Sequence, residues 1–464
     1  MDADPTITDA SACPGCAERD RRIARLEAQV KQLQQHVEAL SRSAKRQAAP
    51  FSRGLPKIDP KRPGRKSGDD YGTKAFRAVP DRIDEVHDAP LPQRCPRCGG
   101  RAFIDTRDEH QYQVDIPRRP IQRQFNVAVG RCACCDGRVQ GRHPLQTSDA
   151  LGCCASQVGP QGQAAVVMLN KELGLSQGKI SRFFQMFFGI KLTPGGSCQI
   201  MLRAAERCQG NYQAIVKRVQ QSRWIVPDET GWRIGGWTAW LHVAVGPDAV
   251  AYLVARQRGI EASSLLIGED YTGTLIHDGW ASYDRFWRAI HQTCLGHLLR
   301  RCHELLEQAR GGAVIFPRKV KALLQESLET RDQREAKQIT AKAAARRADD
   351  LQERMTTLVR PVKTNGANER LAAHLQRHAS QLFTFLRHKG IDATNWRAEQ
   401  ALRPAVVNRK VWGGNRTEAG ATAQSVLMTV LFTAAKLKRD GLQFVSQVLC
   451  SSHTQRPMLL LDTG

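Results

Sequence analysis

The sequence lacks an apolar run long enough to cross a membrane, and it lacks a recognisable targeting segment. Its best apolar run near the C-terminus, residues 426–435, falls well short of the roughly 20 residues that a membrane-spanning helix requires. The first residues, MDADPTITDA, are polar and acidic, whereas targeting peptides are basic and contain an apolar or amphipathic segment. These absences predict a cytoplasmic protein that has no membrane partner.

Acidic residues are also scarce, because 45 Asp and Glu stand against 69 Lys and Arg, which gives a formal net charge of +24. Such an excess favours a polyanionic partner, nucleic acid above all, since Lys and Arg neutralise phosphates and release their counterions. A basic protein without such a partner has the same composition, so charge alone leaves that alternative open. The length of 464 residues provides for two or three domains.

A disulfide framework is not expected, because 14 cysteines in a reducing compartment indicate metal binding or simple burial. Two cysteine motifs, CPRCGG at 95–100 and CACC at 132–135, supply paired thiolates for a tetrahedral structural Zn²⁺. Two apparent strands between them, at 112–116 and 121–129, form a hairpin as in a zinc ribbon. The predicted ligands are Cys95, Cys98, Cys132 and Cys135, with Cys134 and His110 as weaker substitutes.

A heptad pattern near the N-terminus predicts a coiled coil. β-Branched residues fill one position of the repeat and leucines fill the other, which favours parallel pairing and therefore a homodimer or higher oligomer. Because the helix is short, packing against the rest of its own chain is the alternative. The two positions are occupied by Ile23, Val30 and Val37, and by Leu26, Leu33 and Leu40.

Two further segments are candidates for binding DNA. The linker contains KRPGRK at 61–66, and a flexible basic arm tracks phosphates or enters a minor groove, although a solvated spacer is the commoner role. Residues 161–207 contain two amphipathic stretches separated by a Thr-Pro-Gly-Gly breaker, which indicates either a helix-turn-helix or two ordinary packed helices. The linker residues predicted to contact DNA are Lys61, Arg62, Arg65 and Lys66.

Four apolar runs predict the strands of a sheet. They lie at 224–226, 238–245, 249–254 and 274–277. A crossover helix at 261–268 precedes the last run, so the order is β-β-β-α-β, as in a ribonuclease-H-like sheet. Asp228 follows the first run and Asp278 the fourth, and these two strands lie side by side in such a sheet, which brings both carboxylates together. A turn-forming role is the alternative for either acid.

Phosphodiester cleavage at such a pair requires a third acid, because shared carboxylates hold two divalent cations about 3.5–4 Å apart. Glu369 and Glu399 are the candidates, since each follows a Thr-Asn pair. Glu399 is preferred because its helix is basic and suited to DNA phosphates. The residues of that helix predicted to contact DNA are Arg403, Arg409 and Lys410.

A dense group of cysteines and histidines occupies residues 291–303, on a predicted helix. Cys294 and His297 are three residues apart and provide only two metal ligands on one helix face. A structural or DNA-positioning role is therefore favoured over a second metal site.

Taken together, these segments resemble transposases of the insertion sequence 66 family, which are DDE-type enzymes with a ribonuclease-H-like core. The resemblance covers about residues 13–449 and includes several motifs in the family's order. Besides the heptad helix, the basic linker and CPRCGG, they are PDETGW, HDGWASYDRF, CLGHLLRRCHE, TNWRAEQALRP and NRKVWGGNRTEAGA.

The resemblance implies that Asp228, Asp278 and Glu399 bind Mg²⁺ or Mn²⁺ and catalyse cleavage and strand transfer of double-stranded DNA at terminal inverted repeats. It also implies a bacterial protein that joins the nucleoid when bound to DNA, and companion proteins encoded by the same element. Two alternatives remain open: a ribonuclease-H-like nuclease or resolvase, and a non-catalytic, zinc-containing DNA-binding regulator derived from a transposase.

The expected architecture is an α/β catalytic core with a mixed sheet and an α-helical insertion, preceded by a coiled coil and a zinc-ribbon module. The predicted segments are a coiled-coil helix with a CxxC motif at 1–41, the linker at 42–90, the zinc module at 91–145, a helical DNA-binding region at 150–215, the catalytic domain at 220–435 with its insertion at about 300–390, and a C-terminal segment at 436–464.

Overall fold

A computed structural model describes most of the chain, which divides into two compact units, residues 1–119 and residues 120–464. The described residues are 18–19, 21–30, 32–33, 79–94, 96–101, 109–113, 119–152, 157–451 and 457–459. Several predicted features lie outside them: Val37, Leu40, Cys95, and the linker residues Lys61, Arg62, Arg65 and Lys66.

The first unit contains part of the predicted heptad helix. Residues 21–30 are helical. The heptad side chains in the described part of this segment, Ile23, Leu26, Val30 and Leu33, are between 46% and 64% exposed. Burying such an apolar stripe is favourable, so the helix presents a surface that a second helix could cover.

The second unit opens with a small antiparallel hairpin around the CACC motif. β1 (Val129–Arg131) pairs with β2 (Arg138–Gln140), and the motif forms the turn between them. The prediction of a strand at 121–129 was therefore wrong for residues 121–128, which contain no regular structure. The turn that carries the cysteines is closed by the Cys132 amide, which donates to the Gly137 carbonyl, and Asp136 in this turn has a φ of 54°.

A mixed sheet of five strands is the centre of the described part of this unit, in the order β5-β4-β3-β6-β7. Its strands are β3 (Trp224–Ile234), β4 (Trp237–Val245), β5 (Val250–Ala255), β6 (Thr274–His277) and β7 (Ile290–Thr293). β3, β4 and β5 are antiparallel, whereas β3, β6 and β7 are parallel. This arrangement confirms the α/β class and the expected adjacency of β3 and β6.

Two strand predictions need correction. β3 does not end before Asp228 but continues to Ile234, because its second half pairs with β4 while only Trp224 and Ile225 pair with β6. β7 was missed altogether, since its sequence IHQT is mostly polar. His291 therefore lies in a strand rather than on the predicted helix, which begins at Leu295.

Helices cover both faces of the sheet. In chain order they are α1 (Pro160–Lys171), α2 (Gln177–Phe188), α3 (Pro194–Arg207), α4 (Gln209–Gln220), α5 (Ile260–Ile267), α6 (Leu295–Gln308), α7 (Ile315–Glu335), α8 (Ala341–Val359), α9 (Gly366–Arg377), α10 (Thr384–Arg387), α11 (Trp396–Trp412), α12 (Glu418–Lys436) and α13 (Gly441–Cys450). Among the described residues, no helix is long and apolar enough to span a bilayer.

Side chains of β3 alternate between two hydrophobic cores, as the twofold repeat of a strand requires. Trp224 and Val226 pack in one core with α11 and the helices α6 to α10. Ile225 packs in the other core with α1 to α5, α12 and α13. The helices predicted at 161–207 thus share a core with the sheet.

Lys171, the last residue of α1, is a buried charged residue. Its Nζ donates to Gln424 Oε1 at 2.5 Å, and burial lowers its pKa to about 7. The unfolded chain binds more protons than the folded chain between about pH 7 and the ordinary lysine pKa near 10.4, so the unfolding free energy should rise with pH across that window.

We expect Lys171→Met to raise the unfolding free energy at pH 7 by about 1–2 kcal/mol, because the desolvation penalty disappears while Gln424 loses its donor. Urea denaturation at pH 7 and pH 9 should show a smaller pH dependence in this variant than in the wild type. Lys179→Met, at an exposed position of α2, is the matched control. Equal pH dependence in wild type and Lys171→Met would contradict the assignment.

A candidate carboxylate site beside the central sheet

The path of β3 brings Asp228 to the carboxyl end of the parallel strands. The parallel register joins Trp224 to Thr274 and Ile225 to Leu275, and Asp228 lies three residues further along β3. Asp278 directly follows β6. Ligand-binding groups collect at this end of parallel strands, because the strands separate there and leave space between their loops.

Asp228 shares a face of β3 with Trp224 and Val226, as the twofold repeat of the strand requires. Those two residues pack in the core that includes Ala398 and Leu402 of α11. Glu399 lies between these two positions in the first turn of α11. The third predicted acid is therefore carried by the helix that covers the Asp228 face.

The pKa of Asp228 is affected by both other acids. Burial raises its pKa to about 7, and the negative charges of Glu229, Asp278 and Glu399 add to the increase. The Glu229 amide donates to Asp228 Oδ1 at 2.9 Å, which partly offsets these effects. Asp278 and Glu399 are thus each near enough to Asp228 for their charges to disfavour its ionised form.

Asp278 is held by a tight turn. Its Oδ1 accepts a hydrogen bond from the Trp280 amide at 2.9 Å, and Gly279 between them has a φ of 87°. A Cβ atom on Gly279 would lie 2.9 Å from Cε1 of His374, so both the conformation and the space require glycine.

Glu399 is the most accessible of the three acids, with 46% of its side chain exposed. Its Oε1 lies 3.7 Å from Nε2 of His297, at the start of α6. The Nδ1 atom of His297 is buried and has no hydrogen-bond partner among the described residues.

The donor set suits a hard divalent cation, because Mg²⁺ and Mn²⁺ prefer carboxylate oxygens and would neutralise the repulsion around Asp228. Within the described part of the chain, however, no three His, Cys, Asp or Glu side chains are grouped closely enough to hold one ion. The acids therefore match a cation in chemistry and in electrostatics, but they are more widely spaced than bound ligands would be.

The sequence profile of the Transposase IS66 family matches residues 155–423, which is more than half of the chain. The chain belongs to this family. The match begins just before α1 and ends within α12, so it includes the whole five-stranded sheet and all three acids. A search of curated proteins gave no match.

Glu229, the residue after Asp228 in this IS66-family protein, has a different environment. Its side chain is only 3% exposed and both carboxylate oxygens are engaged. Oε1 accepts from Arg258 at 2.8 Å, and Oε2 accepts from the Tyr283 hydroxyl at 2.8 Å. The Arg258 guanidinium lies 4.7 Å and 4.3 Å from the ring centroids of Trp240 and Trp280. Glu229 therefore forms an ion pair within the protein.

Glu369, the rejected candidate for the third acid, is also engaged locally. It lies in the first turn of α9, and its Oε2 accepts from the Lys363 amide at 2.7 Å. The charge of Glu399, by contrast, is one of the causes that raise the pKa of Asp228.

The basic residues predicted on α11 have different environments. Arg403 and Lys410 are exposed. Arg409 is partly buried and donates to the Gly231 carbonyl and, at 3.1 Å, to Thr230 Oγ1. Burial lowers the pKa of Arg409. Arg409 thus connects α11 to β3, whereas Arg403 and Lys410 are exposed to solvent.

The described cysteines of the predicted zinc module are exposed or half-buried. Backbone amides of Cys134 and Cys135 lower the pKa of the Cys132 thiol, which favours the thiolate that zinc requires. Because Cys95 lies outside the described residues, the four-cysteine site stays a prediction.

Sequence reasoning missed the residues that surround the acids: Arg258, Tyr283, His277 and His374. The available signal was only the proximity of His277 and Tyr283 to Asp278 along the chain. Arg258 and His374 are distant in sequence and become neighbours only through the fold.

Proposed function

We propose that this IS66-family transposase catalyses metal-dependent DNA cleavage and strand transfer at the ends of its element, with Asp228, Asp278 and Glu399 as the metal ligands. The observation that supports this assignment is the raised pKa of Asp228, which is due mainly to burial and in part to the charges of Asp278 and Glu399, beside its position at the carboxyl end of the parallel strands. Such clusters of like charge are costly unless they serve a bound cation or a proton transfer.

Two divalent cations at this site would activate the attacking oxygen and neutralise charge on the leaving oxygen. Asp228 and Asp278 are anchored by β3 and by the turn after β6, so they orient the site. Glu399 has a longer and half-exposed side chain, and we expect it to move toward the aspartates when the cations bind. The Arg258–Glu229 pair holds β3 beside the site without entering it.

In the cleavage step, a water oxygen forms a bond to phosphorus and gives up a proton to solvent, while the P–O3′ bond breaks and the released 3′-oxygen takes up a proton from solvent. The products are a 5′-phosphate and a free 3′-hydroxyl. In the joining step, that hydroxyl attacks a target phosphodiester and displaces another 3′-oxygen. Both steps are phosphoryl transfers and require no oxidant or nucleotide cofactor.

The direct test incubates purified protein with labelled DNA of the element's end and Mg²⁺ or Mn²⁺. We expect cleavage that exposes a 3′-hydroxyl, followed by products joined to target DNA. Cleavage without joining would favour a ribonuclease-H-like nuclease or resolvase. Binding of the end DNA without either reaction would favour a regulator.

Exposed positive charge on α11 supports DNA contacts by Arg403 and Lys410, and the linker residues at 61–66 extend the same proposal. Phosphate contacts should give binding that weakens with salt.

We propose that the cysteine motifs bind one structural Zn²⁺, and Cys132→Ser should therefore lose about one equivalent of zinc per chain. The measurement is elemental analysis of purified protein. Cys198→Ser, at an exposed cysteine of α3, is the matched control. Unchanged zinc content in Cys132→Ser would exclude Cys132 as a ligand.

We propose that the exposed heptad face pairs two protomers, so that two DNA ends are handled together. Leu26→Asp should convert a dimer into a monomer in light scattering, because a charge at this position disrupts the apolar seam. Arg25→Asp, which lies outside the apolar positions of the repeat, should remain dimeric. A dimeric Leu26→Asp protein would place the interface elsewhere.

A further inference from the structure

Next to Asp278 lie two hydrogen-bonded histidines that the proposed chemistry does not use. His277 is the last residue of β6 and is completely buried, whereas His291 is half-buried in the neighbouring strand β7, where it pairs with Leu275. Their rings are connected, because Nε2 of His277 lies 3.0 Å from Nδ1 of His291.

The outer ends of this pair are both attached to the backbone. Nδ1 of His277 accepts from the Gly279 amide at 3.1 Å. Nε2 of His291 lies 3.0 Å from the carbonyl oxygen of Phe286. The chain of hydrogen bonds therefore runs from Gly279 through both rings to Phe286.

Only one arrangement of protons satisfies this chain. A backbone amide always donates, so Nδ1 of His277 carries no proton and the proton of that ring is on Nε2. That proton points to His291 Nδ1, which must accept it. The remaining proton of His291 is then on Nε2, where it faces a carbonyl oxygen that can only accept. Both rings are fixed in orientation and in tautomer.

This series of hydrogen bonds ends at the turn that orients Asp278. The Gly279 amide is bound by His277, the space beside its α-carbon is closed by His374, and the next amide, that of Trp280, is bound by the carboxylate of Asp278 itself. Without an acceptor at His277, the half-buried Gly279 amide would lose its hydrogen bond, and the turn would be free to change shape.

We propose that His277 is a positioning residue for Asp278, and that His291 fixes the tautomer in which His277 can act. This proposal rests on the proposed function of Asp278. Hydrogen-bond partners that hold a metal ligand typically change affinity or activity by about 10–100-fold when they are removed.

Two substitutions at His277 separate positioning from mere packing. Asparagine places an oxygen near the former Nδ1 and can still accept from Gly279, whereas glutamine places its amide near the former Nε2 and leaves Gly279 without an acceptor. We expect His277→Gln to lower both the kcat for end cleavage and the affinity of the protein for Mn²⁺ by about 10–100-fold. In His277→Asn, both quantities should stay within about threefold of the wild type. His303→Asn, at an exposed histidine of α6, is the control.

A readout independent of catalysis is hydrogen exchange of the Gly279 amide, measured by NMR on the full chain with selective ¹⁵N-glycine labelling. The amide should be protected in the wild type and in His277→Asn, and exchange at least about tenfold faster in His277→Gln. Equal protection in all three proteins would overturn the proposal, whether or not the protein cleaves DNA. Protection that follows this pattern in a protein without cleavage activity would support the geometry and reject the proposed function instead.

Histidine ¹⁵N spectra of the wild type provide a second test, which does not depend on whether the variants fold. Both His277 and His291 should show an unprotonated Nδ1 and a protonated Nε2. The opposite tautomer at either ring would contradict the hydrogen-bond chain.

Discussion

Asp228→Asn is expected to lower the rate of DNA cleavage by roughly a thousandfold or more, as is common when one member of a cooperating catalytic set is removed. The substitution keeps an oxygen that can accept from the Glu229 amide, so the local fold should persist while the charge is lost. End-labelled DNA with Mg²⁺ provides the assay, and thermal unfolding checks that the variant is folded.

Glu229→Gln is the matched control, because it removes an equal charge from the adjacent residue on the opposite face of β3. Its oxygens are bound to Arg258 and Tyr283, so we expect cleavage within about tenfold of the wild type. If Glu229→Gln abolished cleavage while Asp228→Asn retained it, the two assignments would have to be exchanged.

Arg258→Met is expected to lower the unfolding free energy by about 3 kcal/mol, because it leaves the buried Glu229 carboxylate with Tyr283 alone. The value is near the low end of the range for broken buried pairs, since Arg258 is itself 43% exposed. Urea denaturation measures the change. In the double variant Arg258→Met with Glu229→Gln, most of the loss should be recovered.

The pH dependence of Arg258→Met follows from the same pair. Burial raises the pKa of Glu229 even when Arg258 is present, and without the guanidinium it should rise further. The folded variant then binds more protons than the unfolded chain above pH 4, so its stability should increase as the pH falls toward that value. If Arg258→Met lost the same unfolding free energy at pH 5 and at pH 8, the stabilisation by the Arg258–Glu229 pair would not be electrostatic in origin.

Sequence patterns predicted the order of the sheet well where strands are apolar. TAWLHVAV and TLIH correspond closely to β4 and β6 because buried strands need side chains that pack on both faces. Residues 228–231 of β3 and most of β7 lack large apolar side chains, and backbone pairing with β4 and β6 extends the sheet through them. No local pattern reveals such a strand.

The sequence indicated which acids belong to the candidate site, but it did not indicate which side chains surround them. Asp228 and Glu229 are adjacent in sequence, and only the alternation of β3 together with the positions of Arg258 and α11 separates a free acid from a paired one. Arg409 shows the converse, since this basic residue of α11 was predicted to contact DNA and its side chain donates to β3. Long-range neighbours decide these roles, and sequence spacing does not encode them.

Binding of divalent metal by Asp228, Asp278 and Glu399 can be measured by anomalous scattering from crystals of the full chain soaked in Mn²⁺. We expect a peak bound by Asp228 and Asp278, with Glu399 turned toward it, and loss of that peak in Asp228→Asn. A peak at other residues, or one that persists unchanged in Asp228→Asn, would show that these acids are not the metal ligands.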